Sequence, residues 1–406
     1  MENFQFNLST KYYFGQNEHK NVGKILAEHK DKFGIQKILL VYGQGSVKRS
    51  GLLDDIKGQL SEFNFPYVEL SDIQPNPTAT KVYEGIKLCK EEKVDFILAL
   101  GGGSVIDTAK AISLGAVDDG DFFDFFLKKR KPCKSLKVAS VLTIAAAGSE
   151  SSPSCVIQKQ VGDKVIKTGC TTELNKPVIA ILDPTLTYTL SNYQTACGVV
   201  DMMAHIMERY FTNTEGCDIT DRMCESLLKS IIHNAHLVFE DPFNYDARAN
   251  LMWAGALAHN NICGVGREQD WASHHLEHQL SALYDIAHGA GLSVIFPAWM
   301  EYVYNHDVKR FCQFANRVFD ININLEDLEK TAQLGIRALR EFFKSIDMPL
   351  SFKDINASKN DIPKLVEMLG VDEMEKSEGH FVQLYRQDCE KIYLIAAEYD
   401  CKKDNL

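Results

Sequence analysis

Asp201 and His205 stand four residues apart, and so do His274 and His278. On a helix that spacing puts both members of a pair on one face. His288 follows a short turn-like break at 284–287 and precedes Gly289-Ala290-Gly291. A carboxylate with several imidazoles is the donor set a divalent first-row metal takes. The wider count agrees, since 8 of the 12 His lie between His205 and His288. An ion held there would act as a Lewis acid. One Asp and neutral imidazoles would leave it partly uncompensated, and few Lys or Arg adjoin these residues. A neutral substrate is therefore expected over a strongly anionic one. His233, His236 and His259 read as ordinary helix residues.

Two glycine-rich stretches point to a nucleotide. Gly101-Gly102-Gly103-Ser104-Val105-Ile106-Asp107 directly follows an apolar run and opens a helical one. Glycines admit a phosphate close to the backbone, and a helix N-terminus favours an anion. The usual third-glycine position of a dinucleotide fingerprint is filled by Ile106. The second stretch is Tyr42-Gly43-Gln44-Gly45-Ser46-Val47-Lys48-Arg49. A ribose 2′-hydroxyl is usually read by an acid, and a 2′-phosphate by Ser and basic residues. Ser46, Lys48 and Arg49 with no intervening acid favour NADPH over NADH.

The elements that must position these residues change character along the chain. Lys37–Tyr42, Pro66–Leu70, Val94–Leu100, Lys137–Thr143 and Val178–Leu182 are short, continuous apolar runs. Such runs suit strands covered on both faces. Amphipathic stretches alternate with them, which predicts a doubly wound, Rossmann-like α/β domain over 1–186. Beyond Asp183-Pro184 helical periodicity dominates, so 187–406 is expected to be all-α. Ser191 with Gln194 reads as a capping box, and further helices are expected over 217–239, 244–263, 270–284, 288–304, 325–347 and 384–400.

The composition is that of an ordinary globular protein of 406 residues with a formal net charge of −11. That charge argues against a nucleic-acid partner. No run is long enough to span a membrane. The start MENFQFNLST has no secretory pattern. The 11 scattered Cys lack CxxC pairs and suit a reducing cytoplasm.

The combination resembles the iron-containing (group III) alcohol dehydrogenase family, and within it the butanol dehydrogenase and aldehyde reductase branch. The motifs lie in the family's order: Thr10–Gly15, Tyr42–Gly51, Pro75–Thr78, Gly101–Asp107, Gly148-Ser149-Glu150, Leu182-Asp183-Pro184, Gly198–His205 and Asp270–His274. The resemblance implies a Rossmann-like domain, an α-helical domain of the dehydroquinate synthase-like fold, and a cofactor cleft between them. It implies Asp201, His205, His274 and His288 as ligands of iron or zinc, with His278 beside the metal as a proton-relaying catalytic group. Contacts to NADP(H) or NAD(H) map onto Gly43, Gly45, Ser46, Asn76, Gly102, Gly103, Ser104, Asp107, Thr143 and Lys164. A homodimer acting on small neutral alcohols or aldehydes is also implied. Ala147 stands where the family commonly has a threonine that contacts the cofactor, and Gln44 replaces a common glycine. A lyase of the dehydroquinate synthase type shares the fold, but it needs several basic residues that the stretches around Asp201 and Trp271–Ala282 do not offer.

Overall fold

A computed structural model describes residues 1–162 and 164–400, and leaves the Lys164 side chain outside that description. Contacts divide the chain into two compact units. One holds Asn7–Leu190 with Phe243–Asn260; the other holds Met1–Phe6, Ser191–Pro242 and Asn261–Leu406.

The first unit is built on a parallel sheet. Its strands in chain order are β1 (Lys11–Phe14), β2 (Ile38–Gly43), β3 (Tyr67–Ile73), β4 (Phe96–Gly101), β5 (Lys137–Leu142) and β8 (Ile179–Leu182). They lie in the order β1-β8-β5-β4-β2-β3. Ile38, Leu40, Leu98 and Leu100 pack on one face, and Leu39, Val41, Ile97 and Ala99 on the other. Both faces are buried, which is why the strands read as unbroken apolar runs. Five of the six strands match the expected runs. The sixth, β1, has only four residues at the sheet edge. A separate antiparallel hairpin, β6 (Ser154–Val161) with β7 (Lys164–Thr171), was not expected. It is half-exposed and polar, so its sequence carries little hydrophobic signal.

The helix Tyr245–His259 belongs with the sheet rather than with its neighbours in sequence. The reason is aromatic: Trp253 meets Tyr12 and Phe14 of β1 edge-on, at ring centroid separations of 5.3 and 6.1 Å. The division expected at 186/187 thus falls at 190/191 in the contacts, with this helix and the first six residues exchanged.

The second unit is helical. Its central helix Asn192–Tyr210 starts with a reciprocal cap, in which Ser191 Oγ accepts the Gln194 amide and Gln194 Oε1 accepts the Ser191 amide. Helices Asp218–Glu240, Ala272–Tyr284, His288–Val303, Leu328–Ser345 and Arg386–Glu398 follow near the expected bounds. Helices Val308–Phe319 and Ile362–Leu369 are additional. Among the described residues no helix is long and apolar enough to cross a membrane.

Candidate metal centre and nucleotide-binding edge

Three helices of the second unit place the histidine cluster. Asp201 and His205 share a face of Asn192–Tyr210, and His274 lies in the first turn of Ala272–Tyr284. Asp285 then adopts a left-handed conformation (φ 50°), the chain reverses, and His288 opens the next helix. Gly289 makes that approach possible. A Cβ on it would stand 2.6 Å from Cys197 Cα, in the helix that carries Asp201.

The result is a convergence on one atom. Asp201 Oδ1 lies 3.4 Å from His205 Nε2, 3.8 Å from His274 Nε2 and 3.8 Å from His288 Nε2. Asp201, His205 and His274 are buried, and His288 is partly exposed. Asp201 Oδ1 and His274 Nε2 are buried and make no hydrogen bond. Burying polar atoms without partners is costly, and a divalent cation among these donors would satisfy them. One carboxylate and three imidazoles match the chemistry of iron or zinc, so the residues present fit the group.

The far side of two rings is fixed by carboxylates that sequence reasoning missed. His274 Nδ1 stands 2.5 Å from Glu208 Oε2 as an ion-pair contact, and the His274 amide donates to Glu208 Oε1 at 3.0 Å. His288 Nδ1 donates to Glu277 Oε2. In both rings Nε2 is left on the Asp201 side. The signal was present as spacing, because Glu208 and Glu277 stand three residues after His205 and His274 and so share their faces. Burial alone would depress the His274 pKa. The charges of Glu208 and Asp201 overcome it and hold the group at about 9, which marks the centre as a place for positive charge. Glu208 and Glu277 also correct the expected electrostatics. With them, three carboxylates would surround a divalent ion bound here, two of them behind the His274 and His288 rings, which would leave the site without a net positive charge.

His278 adjoins this centre, and with Glu277 and His288 it makes a second group whose ligand atoms all lie within 4.8 Å of one another. Its ring centroid is 5.4 Å from that of His288 and 6.3 Å from that of His274. Trp271, itself partly exposed, packs edge-on against His205 and His274.

In the sheet unit, the residues expected to hold a nucleotide gather at the carboxyl ends of adjacent strands. Gly43 ends β2, and Gly45 and Ser46 follow it. Asn76 follows β3, Gly102 and Gly103 follow the last residue of β4 in the turn that opens the helix Gly103–Gly115, and Thr143 follows β5. The Thr143 amide donates to the Gly101 carbonyl at 3.2 Å, which ties the β4 and β5 ends together. The sheet order reverses between β2 and β4, the kind of crevice where parallel sheets bind ligands. Gly103 and Ser104 are in the first turn of a 13-residue helix, whose leading N–H groups have no partner within the helix. Ser46, Lys48 and Arg49 are exposed. Lys48 Nζ sits 5.4 Å from the Tyr42 ring centroid, and the Tyr42 hydroxyl donates to Glu69 at 2.7 Å. An acid therefore lies in this neighbourhood after all, supplied by β3.

Two expected contacts are placed differently. Asp107 turns its carboxylate inward, accepting from Ser149 Oγ at 2.6 Å and from the Val156 amide at 2.9 Å. It anchors the 148–150 turn and the hairpin. Asn76 Oδ1 accepts from Lys167 of β7 at 3.1 Å. The Lys164 side chain falls outside the described residues. His259, expected to be an ordinary helix residue, holds the Ala147 carbonyl through Nδ1 at 2.6 Å. Beside it Gly148 takes a φ of 62°.

Comparison with known proteins covers almost the whole chain. The profile of the iron-containing alcohol dehydrogenases matches residues 9–184, and that of the C-terminal part of the same family matches 195–397. The NADH-dependent butanol dehydrogenase A of Clostridium acetobutylicum is 38% identical over 361 residues, spanning 89% of this chain and 91% of that one. The NADPH-dependent aldehyde reductase YqhD of Escherichia coli is 36% identical, over 91% and 93%. The crystal structure of the NADH-dependent butanol dehydrogenase A of Thermotoga maritima superposes with a TM-score of 0.92 at 37% identity, over 98% and 99%.

Proposed function

Because this chain belongs to the iron-containing alcohol dehydrogenase family, we propose that Asp201, His205, His274 and His288 hold its divalent iron or zinc ion and that the β2–β5 carboxyl edge holds its nicotinamide cofactor. The chain is an oxidoreductase of CH–OH groups that interconverts alcohols and aldehydes. The observation that carries the site assignment is the convergence of three Nε2 atoms on the unpartnered Asp201 Oδ1.

A divalent cation held there supplies Lewis-acid polarisation of the substrate oxygen, and the nicotinamide supplies the hydride chemistry. The chain's own part is positional. Asp201 and the imidazoles set where the substrate oxygen goes. The buried side of the cluster, at Asp201, His205 and His274, excludes water. The carboxylates of Asp201, Glu208 and Glu277 disfavour an anionic substrate, so the substrate is a small neutral primary alcohol or aldehyde, with butanol and butyraldehyde as the first pair to test. His278, close to the cluster and partly exposed, passes the alcohol proton toward solvent. His278→Ala is expected to keep its metal while kcat falls about 10²-fold and its pH profile changes. Loss of metal in that variant would make His278 a ligand instead.

For the cofactor, exposed Ser46, Lys48 and Arg49 suit a 2′-phosphate, which puts NADPH ahead. Glu69 beside Tyr42, and the names of two of the relatives above, support the second reading of NADH first. We expect kcat/KM with NADPH to exceed that with NADH. A strong preference for NADH in the same assay overturns the role given to Ser46–Arg49. We also assign the protein to the cytoplasm as a homodimer with no nucleic-acid or membrane partner. Sedimentation of the purified chain tests the dimer.

A further inference from the structure

We propose that Glu277 is a positioning residue for His288, holding its ring so that Nε2 faces the metal and raising its strength as a donor. The inference rests on the reading of His288 as a ligand.

His288 is the most weakly packed of the four. His205 and His274 are buried, packed against each other at a tilt with centroids 4.4 Å apart and flanked by Trp271. His288 is the first residue of its helix, follows a left-handed turn, and keeps 27% side-chain exposure. Packing does not choose its tautomer or its rotation. The bond from Nδ1 to Glu277 does.

Glu277 is placed at some cost to do so. It is fully buried, and its Oε1 makes no hydrogen bond. Among the described residues no Lys or Arg forms an ion pair with it, and its one salt-bridge partner is His288. A buried carboxylate with no Lys or Arg beside it is expensive. It becomes reasonable if a cation lies on the other side of that ring, because the carboxylate then polarises the imidazole toward the metal. The next helix makes room for it. Gly291, one turn into His288–Val303, would carry a Cβ 2.6 Å from Glu277 Oε1 and Cγ. Glycine there lets the carboxylate lie against the first turn of that helix, whose positive end favours an anion. His288, Gly291 and Glu277 thus form one device: the ring, the space, and the charge.

The test measures metal binding, not turnover. Wild type, Glu277→Gln, Gly291→Ala, His288→Ala and the Glu277→Gln/His288→Ala double variant are stripped of metal. Each is then titrated with Co²⁺ or Zn²⁺ against a competing chelator, and the Co²⁺ absorption spectrum is recorded. Circular dichroism checks folding. Glu277→Gln is expected to bind one ion per chain about 10–100-fold more weakly, with an altered Co²⁺ spectrum. Gly291→Ala, which keeps the carboxylate but crowds it, should move both readouts the same way. In the His288→Ala background the Glu277 change should add nothing. Wild-type affinity and spectrum in Glu277→Gln, or an undiminished effect without His288, overturns the inference while leaving the ligand set intact. Wild-type affinity in His288→Ala instead overturns the reading of His288 as a ligand.

Discussion

His274→Ala is expected to lose its metal and its turnover together. His274 Nε2 is one of three nitrogens around Asp201 Oδ1, and the most enclosed by neighbouring rings. Lewis-acid polarisation is worth several kcal/mol at the transition state, so the rate should fall on the order of 10³-fold or more. The variant has a second effect that must be separated from the first. Glu208 is 1% exposed, and both its oxygens face His274, one the ring and one the amide. Removing the ring strands a buried charge, at about 3–5 kcal/mol. Adding Glu208→Gln to His274→Ala should recover most of that stability and none of the metal. Metal content by elemental analysis and unfolding by denaturant distinguish the two losses. Full activity in a metal-free His274→Ala protein would contradict the assignment.

The second large effect lies in the sheet unit and concerns stability against pH. Glu150 follows the Gly148 turn, is 1% exposed, and neither carboxylate oxygen has a hydrogen-bond partner. Burial pushes its pKa up from 4.5 to about 7, with its own backbone amide and Lys110 opposing only in part. A group whose folded pKa is raised stabilises the fold below its unfolded pKa and loses that contribution as pH rises through the folded one. The wild type should therefore lose stability from this group between pH 4.5 and 7, about 3 kcal/mol in all. Glu150→Gln cannot ionise. Its stability relative to wild type should climb across that window and level off above pH 7. Denaturant midpoints at pH 5, 6, 7 and 8 read the difference directly, because groups shared by both proteins cancel. Parallel profiles would mean that Glu150 is solvated or paired.

Much of this was legible in the residues, for definable reasons. Strands buried on both faces announce themselves as unbroken apolar runs, and four-residue spacing on a helix announces a shared face. Both are local patterns. What was missed is non-local or weakly hydrophobic. Strand β1 is four residues long at an edge. The hairpin over β6 and β7 is polar on its open face. The helix Tyr245–His259 reads like its helical neighbours, and only Trp253 against β1 reveals where it belongs. Glu208 and Glu277 carry the right spacing, yet each bonds a histidine on a different helix, and single-helix periodicity cannot name a partner across a packing interface. Asp107 shows how a motif residue can also have a structural role. It lies inside a motif expected to meet a cofactor, and its carboxylate accepts from Ser149 and the Val156 amide.

The central claim is that alcohol and aldehyde chemistry here depends on a metal held by this cluster. The direct measurement follows NADPH and NADH oxidation by butyraldehyde in three samples of one preparation: as purified, after exhaustive chelation, and after adding back Fe²⁺ or Zn²⁺. Aldehyde-dependent oxidation is expected to disappear with the metal and to return with it at about one ion per chain. An undiminished rate in protein shown by elemental analysis to be free of metal would contradict it.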